Sequence, residues 1–125
     1  MKAAARLFPA AALLLSALGV AAAAPAARPA AGRHVAELCV ATLPKPPSCG
    51  PAQAELRTDG TLRLRIDDVV YHLRLHSSQV DVVVMHNIVQ IDEFTAPYEW
   101  RGSRLQFVDA ERDSRYEVRF IERAR

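Results

Sequence analysis

Glycine is scarce in this chain, five in 125 residues, and cysteine scarcer, with two. The scattered glycines form no Gly-rich loop of the kind that cradles phosphate, which excludes that route to nucleotide chemistry. The two cysteines are not spaced as C-x-x-C, so the common redox motif is missing. No stretch after Val35 holds a 3.6-residue apolar period for three turns, and this excludes long helices. An excess of one charge is also absent. Without Lys2 and Arg6, which belong to the segment treated next, the 16 basic residues fall to 14, against 14 acidic ones. That balance argues against nucleic acid as a partner and against attachment to a membrane by charge.

What the chain does have starts at its first residues. Lys2 and Arg6 are followed by an apolar run from Leu7 to Val20, then by the small residues Ala21 to Ala24. That order is an export signal, and the run is short of the roughly 20 apolar residues of a membrane span. Ala21-Ala22-Ala23 and Ala24-Pro25-Ala26 both fit the A-x-A rule for cleavage. Residues 1–26 are therefore expected to be a signal peptide, with no stable membrane insertion once it is removed. Residues 27–34 are expected to be a flexible, Ala/Pro-rich arm, and residues 35–122 one β domain, periplasmic or secreted. Cysteines pair by default in such a compartment, so Cys39 and Cys49 are read as a disulfide. Closing so short a loop contributes about 2–3 kcal/mol.

From Ala52 onward the pattern is β, and the turns set a register. Ala52, Ala54 and Leu56 alternate with polar residues, as do Leu62, Leu64 and Ile66. A three-residue loop with Gly60 in the left-handed conformation pairs Leu56 with Leu62 and places Glu55 opposite Arg63. A turn at Asp67-Asp68 pairs Leu64 with Tyr71, and one at Ser77-Ser78 pairs Leu73 with Val82 and Arg74 with Asp81. A turn at His86-Asn87 returns the chain through Val89 and Ile91, and Gly102-Ser103 pairs Trp100 with Leu105. Tyr116, Val118 and Phe120 point inward on the last strand. Val35 to Thr42 has no clear period and fits a strand or a short helix. The fold expected is all-β: a small antiparallel up-and-down barrel of about eight short strands, with a β-sandwich as the alternative.

Chemistry has few footholds here. His72 and His76 lie four apart on one strand, about 13 Å at a rise of 3.3 Å per residue, too far to share a metal ion. Met85 and His86 are neighbours and point to opposite faces of a strand. Asp81 and Asp92 oppose each other if the turn between them is a two-residue one, and a bulge near Glu93 keeps that residue from pointing inward. Ser77 and Ser78 follow His76 without supplying the geometry of a nucleophile and its base. No catalytic, cofactor or metal site is read from the sequence.

Two surfaces are candidates for binding. Val70, Val83, Met85 and Ile88 form an outer apolar patch, either a partner site or a face covered by the segment around Val35 to Val40. Leu43, Pro44, Lys45, Pro46, Pro47 and Ser48 form an extended loop tethered by the disulfide and suited to entering a cleft. In size, export signal, single disulfide and small barrel the chain resembles the periplasmic lysozyme inhibitors. The resemblance implies inhibition of an exported hydrolase. The Ser-Gly-rich loop ending in Ala-Lys-Tyr that one class of them carries is absent, so no site residue transfers. The expectation is a non-enzymatic binding module whose partner is another periplasmic protein or a small apolar ligand. An inhibitor of an exported lysozyme or protease is the alternative.

Overall fold

Alternation of apolar and charged residues writes one inward and one outward face into every segment from Gly32 to Arg123, and the chain meets that pattern by closing on itself. The computed structural model describes residues 27–124; the expected signal peptide and its cleavage sites lie outside them. Eight antiparallel strands run in simple order: β1 (Gly32–Thr42), β2 (Ser48–Leu56), β3 (Thr61–Ile66), β4 (Val69–Leu75), β5 (Gln79–His86), β6 (Val89–Arg101), β7 (Arg104–Asp109) and β8 (Ser114–Arg123). Each pairs with the next, and β8 pairs with β1, which closes the barrel and leaves no free edge.

The expected registers are found. Leu56 faces Leu62 and Glu55 faces Arg63. Leu64 faces Tyr71, Arg74 faces Asp81, and Trp100 faces Leu105. Gly60 has φ +89°, and a Cβ there would stand 2.9 Å from the carbonyl oxygen of Leu75. Only glycine satisfies both the positive φ and that close approach.

Three expectations need correction. The arm is not free through residue 34, because β1 starts at Gly32. His34 holds that first stretch in place: it is buried, its Nε2 lies 2.6 Å from the carbonyl oxygen of Ala30, and its ring meets Phe120 edge-on. The β5–β6 turn falls at Asn87-Ile88, one residue later than expected, since His86 pairs with Val89. A bulge then breaks the ladder: Val84 faces Asp92 while Met85 faces Gln90, so Ile91 has no partner. The bulge turns Glu93 outward opposite Val83, and Asp81 faces Thr95 instead of Asp92.

Side chains fill the interior. Leu62, Leu64, Leu73, Val80, Val82, Leu105 and Val118 are the largest fully buried ones, and each such burial is worth about 1.5–3 kcal/mol. Phe107 and Tyr116 stack with centroids 4.8 Å apart, and Phe94 lies on Tyr116. Up-and-down order divides the connections between two ends. The β1–β2, β3–β4, β5–β6 and β7–β8 links sit at one end, here called the loop end. The other three links, with the chain's entry into β1 and exit from β8, sit at the opposite end.

Candidate functional site

The Cys39–Cys49 disulfide is present and joins residues directly opposite one another in the β1–β2 ladder. Glu37 is on the same face, with its carboxylate within 4.8 Å of both sulfurs. The bonded sulfurs offer no thiolate, and Glu37 is paired with Arg119 at 3.5 Å.

The Pro-rich loop is exposed throughout, as expected, but it is not extended along its length. The chain turns at its start: the amide of Lys45 donates to the carbonyl of Thr42 at 2.9 Å, and that of Leu43 to Asp113 at 3.1 Å. Pro44, Pro46 and Pro47 cannot donate, so the turn is held by the amides of Leu43 and Lys45.

The apolar patch lies on the outer wall. Val70 pairs with Met85, and Val83 stands two residues further along β5. The segment Val35 to Val40 does not cover it. That segment is β1 itself, built into the wall between β8 and β2. The strip continues to the loop end, where Ile88 is 91% exposed, Val89 59% and Ile91 57%. Leu43 and Val108 also reach solvent there, so five of the seven exposed large aliphatics among the described residues gather at one end.

His72, His76 and His86, unlike the buried His34, are surface groups. The Nε2 of His76 lies 2.8 Å from Asp81 Oδ2, and Thr95 donates to Asp81 Oδ1 at 2.9 Å. The hydrogen bonds to His76 and Thr95 hold the Asp81 carboxyl below its ordinary value, with the charges of His76 and Arg74 assisting. His86 pairs with Asp68 across the loop end at 2.9 Å. His72 projects outward from β4.

One constellation escaped the sequence reading. The guanidinium of Arg112, in the short 3-10 turn Ala110–Arg112, bridges Asp92 at 3.0 Å and Asp109 at 2.9 Å. Asp109 is only 3% exposed and accepts from the amide of Glu111 at 3.2 Å. Beneath this clamp lie two phenols. Burial pushes Tyr116 up to about 12, with the charges of Tyr71 and Asp92 adding to it. Burial, then Asp92, raises Tyr71 as well. Arg112 thus pairs two carboxylates, of which the buried Asp109 would otherwise be penalised most. The readable signal was Asp109-x-x-Arg112 after an apolar strand. Asp92 was unreadable, because its inward direction depends on the bulge at Ile91.

Open grooves run along the outside of the wall. One of about 350 Å³ lies beside the disulfide, between Pro47, Val108 and Arg115. Two of about 440 and 430 Å³ lie on the outer face of β1 to β5.

Fold and surface together define a small, closed, side-chain-filled up-and-down barrel with a cluster of exposed aliphatics at its loop end. No protein family, curated protein or solved structure matches the chain.

Proposed function

We propose that the chain is exported, loses its signal peptide, and acts as a non-enzymatic module that docks a partner protein on the strip Val70–Val83–Met85 and the Ile88 tip. One observation carries this reading: among the described residues the segment Val35 to Val40 does not cover the half-buried strip, which ends near the most exposed aliphatic cluster of the barrel at Ile88. Contiguous exposed apolar surface on a small soluble domain marks an interaction site. The filled interior favours a macromolecule over a small apolar ligand, since the barrel holds its own side chains where a ligand would lie. The disulfide and the order of residues 1–26 support an oxidising compartment outside the cytoplasm, with the periplasm as the address. Inhibition of an exported hydrolase by the Leu43–Ser48 loop is the second reading. Its support is that every residue of this loop is exposed, that the disulfide braces it near its base, and that it is on the same end as Ile88.

Capture of partners from the producing cell separates the two. Met85→Lys combined with Ile88→Asp should abolish capture with the fold intact, while Pro46→Gly combined with Pro47→Gly leaves capture unchanged. Undiminished capture by the first variant removes the proposal. Loss in the second variant alone transfers function to the loop.

A further inference from the structure

The charge balance of the chain conceals a division between its walls. On β1, β6, β7 and β8 three outer acids are matched, Glu37 with Arg119, Glu99 with Arg101, and Glu117 with both Arg104 and Arg119, while the exposed Glu93, which faces Val83, and Glu122 are in no ion pair among the described residues. The wall from β1 to β4 differs. Arg33, Arg63, Arg65 and Arg74 are exposed there, and among the described residues none has a carboxylate within ion-pair distance. Arg63 and Arg74 face Glu55 and Asp81 in the ladder. Asp81 is instead engaged by His76 and Thr95, and Glu55 has only a long 3.8 Å contact, to Arg57.

These guanidiniums line the two outer grooves. Arg63 and Arg74 line the one that also contains Val83, while Arg33, Arg63 and Arg65 line the other. Rows across the sheet show how they meet the apolar strip. Arg65 faces Val70, which faces Met85. Arg63 faces His72, which faces Val83. Cations therefore stand on β3 and aliphatics on β5, about 9–10 Å apart across two strand spacings, and both repeat every 6–7 Å along the strands. No Phe, Tyr or Trp belongs to these rows, and His72 is their one ring.

We infer that the partner docked on this wall presents an acidic amphipathic polypeptide segment. Its apolar side chains would lie on Val70, Val83 and Met85, and its carboxylates on Arg63, Arg65 and Arg74. Guanidinium pairs with carboxylate in two parallel hydrogen bonds, so unpaired arginines beside an apolar strip select this chemistry over a cationic or purely apolar surface. The inference rests on the proposed docking role of the strip and adds the sign of the partner.

The test uses protein purified as its host processes it, with three probes: an amphipathic Leu/Glu peptide, its Leu/Lys counterpart, and phosphatidylglycerol vesicles. The Leu/Glu peptide should bind in a salt-sensitive way. Arg63→Gln with Arg65→Gln should weaken it about tenfold at unchanged melting temperature. The Leu/Lys peptide should not bind. Equal binding of both peptides, an unaffected double Gln variant, or retention on vesicles without binding of Leu/Glu overturns the inference. If Met85→Lys with Ile88→Asp abolishes capture of the cellular partner while the double Gln variant captures it normally, docking stands and the acidic assignment falls. If neither variant changes capture, both fall.

Discussion

Gly60 sets the register of β3, and with it which residues of that strand face solvent, so Gly60→Ala tests the geometry beneath the proposed site. Two effects add. A left-handed φ costs a residue with a Cβ about 1–2 kcal/mol. The new Cβ also meets the Leu75 carbonyl oxygen at 2.9 Å, a backbone atom that cannot turn aside. Relieving that contact strains the hydrogen bond by which the Leu75 amide donates to the Gly60 carbonyl at 2.8 Å, a loss of about 1 kcal/mol. The stiffer unfolded chain returns about 0.4–1 kcal/mol. The net is about 2 kcal/mol, or a melting point lower by about 8–16 °C for a domain of this size. Gly50→Ala is the control. Its Cβ would meet nothing within 4 Å and its φ is not among the positive ones, so thermal unfolding should be unchanged or slightly raised. Calorimetry on the three proteins is sufficient. Equal melting of Gly60→Ala and the parent would falsify the hairpin geometry, and with it the placement of Arg63 and Arg65 on the outer wall.

Further outcomes are expected elsewhere. Met85→Lys alone should leave the melting temperature unchanged, since the outward chain reaches water; a clear drop would mean the position is packed. Cys39→Ala with Cys49→Ala should lower stability by about 2–3 kcal/mol in denaturant titration, and thiol labelling of the parent should find none free. Arg112→Ala leaves the buried Asp109 without its cation and should lower the melting temperature, whereas Asp109→Asn in that background should recover part of the loss. Tyr116 deprotonates later in the folded chain than in the unfolded one. Its contribution is therefore complete below a pH of about 10 and fades as the pH rises toward about 12; ultraviolet titration of the phenols together with denaturation across that range reads both.

Much of the wall was legible because strand periodicity and turn length are coupled. Once Gly60 fixes one hairpin, Leu62, Leu64 and Ile66 must point inward, and each later two-residue turn carries the same parity forward. Parity failed where an extra residue entered. Ile91 is apolar, as an inward residue would be, so nothing in the alternation announced that it stands outside the ladder. Asp92 and Glu93 consequently looked reversed, and the clamp of Arg112 on Asp92 and Asp109 stayed hidden. β1 was ambiguous for another reason. Leu38, Cys39 and Val40 are consecutive apolar residues, and only the outward disulfide explains the middle one. The candidate strip was visible as residues on both faces of β5. Whether it was covered depended on closure, a pairing between β1 and β8 that no local pattern encodes.

That closure has a mechanical consequence. β1 and β8 are antiparallel neighbours, and the chain enters and leaves the barrel beside the pair His34 and Arg123. A force applied between the two ends of the chain meets this ladder at one extremity and opens it pair by pair, first at His34–Arg123 and Val35–Glu122, then across the irregular step before Ala36. Each hydrogen bond bears the load in turn, where pulling from opposite extremities would load all of them together. The seam that completes the barrel is therefore the line along which it yields to tension, and an unfoldase that pulls on a tail while the other end is held meets its first resistance there.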